Sequence, residues 1–252
     1  MRLWLHELRV EQLLYWRSRE SAFFTFLLPV LFFLILGAIY GGKTIKEEGG
    51  LKASWFLEAG MIGYGVAATC FAGLGISLVI RRESGVLKRI RATPLPPTTF
   101  ILAVLGSTFL VFLIEAAVII VIGKLLFSVP VPNAIGSLFV TLVIGALAFA
   151  AMGLGITGLV RSAEGSSAVI NAVYLPMAII SGTFVTTKSY PGFLKAIANI
   201  LPLTYYTKLT RDVMIHNQHF WHDGSAIGVV LVWGAIGAAG AIRGFRWQPR
   251  EA

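Results

Sequence analysis

Six long stretches without a charged residue constrain the fold of this chain more than any other feature of its sequence. Their positions are 21–42, 59–80, 92–114, 125–160, 165–187 and 224–242. A helix rises about 1.5 Å per residue, so roughly 20 apolar residues can cross the ~30 Å hydrocarbon core of a bilayer. The pattern therefore predicts six membrane-spanning helices.

The composition of the chain favours the same interpretation. Hydrophobic residues make up 56% of the 252 residues and charged residues only 13%, and a soluble domain of this size could not bury so much apolar surface in one core. We expect an all-α integral membrane protein with one transmembrane domain, residues 1–252. The first stretch exceeds the length of a signal-peptide core, and we expect it to be retained as a span. The expected spans are about 21–41, 56–80, 98–123, 134–160, 166–184 and 222–242.

The distribution of basic residues predicts the orientation in the membrane. A net charge of +9 would suit a nucleic-acid partner, but the basic residues lie mostly between the apolar stretches, which indicates topology instead. Six spans place both termini on one side, which then holds thirteen Lys and Arg residues against eight on the other. The bias predicts a multi-pass protein of the cell membrane with both termini in the cytoplasm. The thirteen are Arg2, Arg9, Arg17, Arg19, Arg81, Arg82, Lys88, Arg89, Arg91, Arg161, Arg243, Arg246 and Arg250.

Two segments outside the spans are too apolar to be ordinary loops. Residues 1–20 place apolar side chains among charges with helical spacing, which predicts an amphipathic helix in the cytoplasmic membrane interface with Trp4 and Trp16 at headgroup depth. Residues 185–221 are also rich in apolar side chains and are interrupted by Pro191 and Pro202. The second segment is expected to form short re-entrant helices on the outer side.

One motif match suggests nucleotide binding and is set aside. Residues Gly37–Thr44 fit the G-x-x-x-x-G-K-[ST] pattern, which functions only as a loop between a strand and the N-terminus of a helix. Here the match covers the end of the first span.

His216, His219 and His222 share a helix face, but no cysteine lies near them, so we expect solvated loop histidines and no metal. We expect no catalytic residue and no cofactor bound by this chain.

The segment 81–95 is the most informative loop. It holds five basic residues within 81–91, alternates apolar with basic side chains over Val86–Arg91, and ends at Pro94. This pattern predicts a short amphipathic helix with a defined end. Its apolar side can rest on the membrane domain while its polar side faces a soluble partner.

The same segment carries a family resemblance. Residues Glu83–Leu95, ESGVLKRIRATPL, resemble the first cytoplasmic loop of type-2 ABC exporter permeases, the family that includes antibiotic, lipid and polysaccharide exporters. The stretches Pro176–Phe184 (PMAIISGTF), Tyr190–Pro191 and Ile200–Tyr205 (ILPLTY) resemble the end of the family's fifth span and the outer helices that follow it. Residues 186–188 depart from the family, because a proline-bearing stretch is expected there.

The resemblance implies a transmembrane subunit that does not hydrolyse ATP itself. A separate ATPase subunit would bind ATP and Mg and dock on the short helix, and the chain would pair with a second copy of itself or with a related permease. The implied coupling residues are Glu83, Gly85, Lys88, Arg89, Arg91 and Thr93. The interface helix, with Arg9, Trp16 and Arg17, would be a second contact.

Few polar residues lie inside the predicted spans, and Glu115 is the most costly of them to bury. It could bind a cationic substrate, pair with another residue, lie near a water-filled path, or form a hydrogen bond between helices. Glu58, close to the outer end of the second span, is expected at the membrane interface. The candidate substrate path comprises Phe71, Glu115, Asn171, Tyr174, Met177 and Ser181.

Together these features predict the permease of an ATP-driven exporter for a drug-like or lipid-like amphipathic substrate, in contact with membrane lipid and without a nucleic-acid partner. A polysaccharide or glycolipid exporter of the same family is the alternative. A channel would need repeated polar or carbonyl filter residues, and none is visible in the sequence. A membrane-embedded enzyme would need several polar residues at one depth, where only Glu115 is found.

Overall fold

A computed structural model describes residues 2–249, apart from the side chains of Arg2 and Ser21. Arg250, counted above for the orientation, lies outside the described residues. The first half of the chain forms α1 (Arg2–Arg17), α2 (Arg19–Tyr40), β1 (Thr44–Ile45), β2 (Leu51–Lys52), α3 (Ala53–Gly65), α4 (Leu74–Glu83), α5 (Val86–Arg91) and α6 (Pro97–Phe127). The second half forms α7 (Ile135–Ile156), α8 (Ala163–Ile180), α9 (Gly192–Ala198), α10 (Pro202–Met214) and α11 (Gly224–Gly244).

Six helical stretches are long and apolar enough to cross a membrane, and we refer to them as spans 1 to 6. The prediction of an all-α integral membrane protein with six membrane-length helices is confirmed. The predicted breaks in the segment after span 5 coincide with helix starts, because α9 follows Pro191 and α10 begins at Pro202. The spans are Ala22–Tyr40, Ala53–Glu83, Pro97–Phe127, Ile135–Ile156, Ala163–Ile180 and Phe220–Gly244.

The connections between spans define two ends of the bundle. α1, α5 and the turn 157–162 lie together at one end, which we call the N-terminal end. The hairpin formed by β1 and β2 lies at the other, with the segment 181–190, and we call it the hairpin end. In the hairpin, Thr44 pairs with Lys52.

Span 2 is the most buried of the six. Its α3 packs against α2, α6 and α10, and its α4 packs against α7 and α8. Between them, Val66–Gly73 forms wider π-helical turns. Gly153 of α7 packs on the backbone carbonyl oxygens of Cys70 and Phe71 in these turns. Short π-helical stretches inside α-helices are frequent at functional sites, so these turns make span 2 a candidate part of such a site.

Two carboxyl groups lie between α3 and α6, each packed against a glycine of the facing helix. Glu115 of α6 lies against Gly65, where a Cβ atom would be 2.6 Å from Glu115 Oε1. Glu58 of α3 lies against Gly123 of α6 in the same way. Glu58, expected at the membrane interface, is instead enclosed between the two helices and only 1% exposed. Gly123 leaves the room that its carboxyl group occupies.

Glycines also allow α7 and α11 to pack closely. A Cβ atom at Gly237 would lie 2.5 Å from the backbone nitrogen of Met152, and one at Gly155 would lie 2.5 Å from the carbonyl oxygen of Gly237. Small residues at such positions are typical of helix–helix packing in membranes, where backbones approach closely.

Replacing Gly237 with valine is therefore expected to destabilise the fold by about 1–3 kcal/mol, because the side chain must displace the α7 backbone. Gly228 on the same helix has open space where its Cβ atom would be, so Gly228→Val is the matched control for the change in helix propensity. Chemical unfolding in detergent measures both variants. Equal losses of unfolding free energy in the two variants would show that the close packing of α7 and α11 at Gly237 does not contribute to stability.

A charged cluster ties the hairpin to the segment that follows span 5. The carboxylate of Glu48 accepts hydrogen bonds from the hydroxyl of Thr186 and from Lys188 Nζ, the latter at 2.7 Å. Arg211 of α10 donates to the carbonyl oxygen of Gly182. Burial of the Arg211 guanidinium lowers its pKa to about 10, and the nearby negative charge of Glu48 opposes this effect. The cluster holds the loop after span 5 against the hairpin.

The cluster predicts a pH-dependent contribution to stability. Burial of Glu48 raises its pKa, but the hydrogen bonds from Lys188 and Thr186 and the charges of Lys188 and Arg211 outweigh burial, so the pKa falls below the ordinary 4.5. The stabilisation is complete above pH 4.5 and is lost as the pH falls through the lower, folded pKa. The melting temperature of Glu48→Gln should therefore lie below that of the wild type at about pH 7, and the two should converge towards about pH 3. A constant difference across this range would contradict the prediction.

Candidate functional site

The segment between spans 2 and 3 forms the short helix α5, which has one buried and one exposed side. Leu87 is fully buried, whereas Lys88, Arg89 and Arg91 are exposed. Gly85 precedes the helix with a φ of 74°, in the left-handed region that glycine adopts without strain. An apolar anchor and three exposed cations leave the basic side of α5 open to a partner.

Hydrogen bonds within the loop fix the end of α5. The hydroxyl of Thr93 donates to the carbonyl oxygen of Ile90 at 2.6 Å and accepts a longer hydrogen bond of 3.4 Å from the backbone nitrogen of Leu95. Thr93 itself is exposed. α6 starts soon afterwards at Pro97, which suits the first turn of a helix because it has no N–H group to satisfy.

Arg82 connects the end of span 2 to the turn between spans 4 and 5. Its side chain is buried, and its guanidinium donates to the carbonyl oxygens of Thr157 at 2.9 Å and Val160 at 2.7 Å. Its Nε atom also forms an ion pair of 2.6 Å with Glu83. A force applied to α5 would therefore reach spans 2, 4 and 5 together.

α1 packs against α6 through a face that is more polar than expected. Glu11 is 5% exposed and forms an ion pair with Arg81 at 2.8 Å. Gln12 donates to both the backbone oxygen and the hydroxyl of Ser107, each at 2.9 Å. Glu11 was not predicted as part of a site, although a carboxylate on the mixed face of an amphipathic helix is a signal for such an ion pair. Several apolar residues of α1 are instead exposed, namely Leu3, Leu5, Leu13, Leu14 and Trp16.

The three predicted residues of the interface helix lie on its exposed side. Arg9 and Arg17 have exposed side chains. The indole nitrogen of Trp16 donates to Gln12 at 3.0 Å, and its ring stacks on Phe26 of α2 with centroids 5.7 Å apart. Trp16 thus joins α1 to span 1, while the two arginines are available to headgroups or to a partner.

A cavity of about 610 Å³ lies between α1, α2, span 2, α6 and α8. This volume is within the range of about 300–1,000 Å³ that is usual for small-molecule sites. Phe24, Leu28 and Val111 contribute to its apolar walls, and the Glu11–Arg81 ion pair belongs to its polar part. The cavity is therefore suited to an amphipathic molecule.

The π-helical turns of span 2 place a hydroxyl group in the wall of this cavity. Thr69 lines the cavity and donates its hydroxyl hydrogen to Glu115 Oε2 at 2.7 Å. Glu115 is 0% exposed, and its other oxygen has no hydrogen-bond partner. Among the described side chains, no lysine, arginine or histidine forms an ion pair with it. A buried, unpaired carboxyl group thus lies one hydroxyl away from the cavity.

The other predicted path residues divide into two groups. Asn171 and Tyr174 of α8 line the cavity. Phe71, Met177 and Ser181 are 2%, 4% and 0% exposed and lie outside its lining. Asn171 and Tyr174 thus line the same cavity as Thr69, which donates a hydrogen bond to Glu115 and could not be singled out from the sequence.

The two motifs set aside in the sequence lie at the hairpin end. Gly37–Thr44 runs from the last turns of α2 into β1, which is followed by a single 3₁₀ turn at Lys46–Glu48 and not by an α-helix. The His219 ring stacks on Trp221 with centroids 4.3 Å apart, and His216 Nδ1 is 3.2 Å from Asp212. In the described part of the chain, no three His, Cys, Asp or Glu side chains are placed to share a metal ion.

Comparison with known proteins agrees with this geometry. The family model of the ABC-2 type transporter matches residues 3–215. The daunorubicin resistance ABC transporter permease protein DrrB1 of Streptomyces coeruleorubidus is 25% identical over 221 residues, covering 83% of this chain and 75% of that protein.

Two further relatives are longer than the region they share with this chain. ABC transporter G family member 20 of Dictyostelium discoideum is 28% identical over 182 residues, covering 71% of this chain but only 25% of that protein. The inner membrane transport permease YhhJ of Escherichia coli is 21% identical over 171 residues, covering 68% and 46%. The matched family region contains five of the six spans, α5 and the cavity, and the chain belongs to the ABC-2 type transporter family.

Proposed function

We propose that this chain is the transmembrane subunit of an ATP-driven exporter, and that it moves a drug-like or lipid-like amphipathic substrate out of the cytoplasm. A separate ATPase subunit, which binds ATP and Mg, supplies the energy. A second copy of the chain or a related permease completes the membrane part. The N-terminal end of the bundle faces the cytoplasm, as the count of basic residues on the two sides favours.

The exposed basic side of α5 supports this proposal most strongly. Lys88, Arg89 and Arg91 form a surface that a soluble subunit with acidic groups can recognise. Leu87 fixes the helix to the membrane domain, and Arg82 connects it to two further spans. A rigid displacement of α5 would thus move several spans at once, which is how packed helices transmit a switch.

The route from α5 to the substrate follows span 2. α4 connects α5 to the π-helical turns, and these turns form part of the cavity wall at Thr69. The Glu11–Arg81 ion pair connects the same end of span 2 to α1. Closure of the ATPase would therefore change the cavity from two directions, through span 2 and through α1.

The cavity favours a small amphipathic substrate over a polysaccharide, which remains the second candidate within the family. Its walls are largely apolar, and its volume of about 610 Å³ suits a drug-sized molecule. The related daunorubicin resistance permease is consistent with such a substrate.

Copurification tests the proposal. The tagged chain is expressed together with candidate ATP-binding cassette subunits from the same organism, extracted in mild detergent and purified. The ATPase should copurify in a defined ratio, and the complex should hydrolyse ATP. Transport by the purified chain without any ATPase would overturn the proposal that it is the permease of an ATP-driven exporter.

A further inference from the structure

We infer that the cavity binds cationic amphiphiles, with Glu115 as the counter-ion, and that binding of the cation displaces a proton from Glu115. This inference rests on the proposed export function, because it names the class of substrate that the same cavity would select. Three features of the structure carry it: the unpaired carboxyl group, the direction of one hydrogen bond, and the aromatic wall beside it.

The surroundings of Glu115 favour its uncharged form when the cavity is empty. The carboxyl group is fully buried, and Thr69 is its hydrogen-bond partner. An isolated carboxylate is costly to bury in an apolar environment, so the protonated form is the stable one. Four titratable groups interact with it electrostatically, and all are uncharged near neutral pH. They are Tyr15 of α1, Tyr64 of α3, Cys70 of the π-helical turns and Tyr174 of α8.

The hydrogen bond from Thr69 turns the cavity wall into an acceptor. The hydroxyl of threonine has one hydrogen, and Thr69 donates it to Glu115 Oε2 at 2.7 Å. The lone pairs of the Thr69 hydroxyl oxygen remain free to accept a hydrogen bond from a ligand in the cavity, because Thr69 lines the cavity. A ligand that donates a hydrogen bond is favoured there, and one that carries a positive charge is favoured further once Glu115 loses its proton, because the carboxylate then lies directly behind the acceptor.

Aromatic rings in the lining of the same cavity favour the same charge. Tyr64 and Tyr174 both line the cavity, with ring centroids 5.7 Å apart. The faces of such rings attract cations through their quadrupole, most strongly where water is excluded. The other ionic groups of the cavity, Glu11 and Arg81, form an ion pair with each other. Glu115 is therefore the group left to balance an incoming positive charge.

A cation and a proton would exchange at this site. The positive charge in the cavity makes the carboxylate form of Glu115 favourable, since attraction between unlike charges is strong at low dielectric constant. The O–H bond of the Glu115 carboxyl group breaks, and the proton leaves past Thr69 into the cavity and the solvent. No other group changes its charge. One monocation bound would release up to one proton.

Calorimetry on the purified chain in nanodiscs tests the inference with two probes of the same shape and opposite charge, tetraphenylphosphonium and tetraphenylborate. Titrations in two buffers with different ionisation enthalpies give the number of protons released. Tetraphenylphosphonium should bind the wild type and release close to one proton. Glu115→Gln keeps an acceptor for Thr69, and should bind this cation at least about tenfold more weakly, without proton release. Tetraphenylborate should bind the variant no more weakly than it binds the wild type.

Equal affinity of wild type and Glu115→Gln for tetraphenylphosphonium would overturn the inference, and so would binding without proton release. Thr69→Val provides a second variant of the same shape. It removes the acceptor in the cavity wall, so cation affinity should fall although Glu115 remains. These measurements need no ATPase. Loss of cation selectivity with intact ATP-driven transport would reject only this inference, whereas cation binding without any coupling to an ATPase would reject the proposed function instead.

Discussion

Changing Lys88 and Arg89 together to glutamate is expected to abolish ATP-dependent transport while leaving the folded permease intact. Both side chains are exposed on the basic side of α5. Exposed substitutions usually change stability by less than about 0.5 kcal/mol. Reversing two charges at a docking surface costs several kcal/mol, which corresponds to a loss of affinity of about a hundredfold or more.

The comparison is made with the ATPase subunit present, by transport into proteoliposomes and by copurification. Lys46→Glu with Lys195→Glu is the matched control, because both lysines are exposed and the change in net charge is the same. The control should transport and copurify as the wild type does. If the variant with Lys88 and Arg89 changed to glutamate also transports and copurifies as the wild type does, the prediction that the ATPase docks on α5 is wrong.

Replacing Arg82 is expected to lower the free energy of unfolding of the permease substantially. Arg82→Met should destabilise the chain by about 3–5 kcal/mol, because it leaves buried partners of a charged group without compensation. The carbonyl oxygens of Thr157 and Val160 would lose their hydrogen bonds, and Glu83 would lose its ion pair. The same substitution at the exposed Arg161, in the same turn, should cost less than about 0.5 kcal/mol.

Chemical unfolding in detergent measures both arginine variants. Arg82→Lys should be intermediate, because an ammonium group is compact and cannot reach both carbonyl oxygens in the planar arrangement of a guanidinium. A loss below about 1 kcal/mol for Arg82→Met would contradict the view that this residue ties the spans together.

The helices of the fold could be predicted because lipid requires long uncharged segments. Residue pairing between segments could not. Glu11 and Arg81 are 70 positions apart, and nothing local to either residue identifies its partner. The packing of Glu58 between α3 and α6 could not be predicted either. The sequence places Glu58 near the end of a span, but only the packing of Gly123 against it explains how the carboxyl group is enclosed.

Only part of the candidate site could be predicted, because local sequence patterns reveal helix faces but not which residues of different spans meet. The basic side of α5 is visible in the sequence, since charge and apolar residues alternate over a few positions. The cavity depends on which way each span faces. Asn171 and Tyr174 line it, while Met177 on the same helix does not. The π-helical turns that place Thr69 in its wall contain no proline and follow no pattern that would reveal them.

Cross-linking from α5 tests the central claim most directly, namely that a separate ATPase drives this chain through that helix. Cys70 is the only cysteine and is buried, so Cys70→Ala provides a background for single cysteines at positions 88 and 46, at opposite ends of the bundle. Purified complexes are treated with a short cysteine-to-lysine cross-linker. We predict a cross-link to the ATPase subunit from position 88 and none from position 46. Absence of the product from position 88, or equal products from both positions, would contradict the claim.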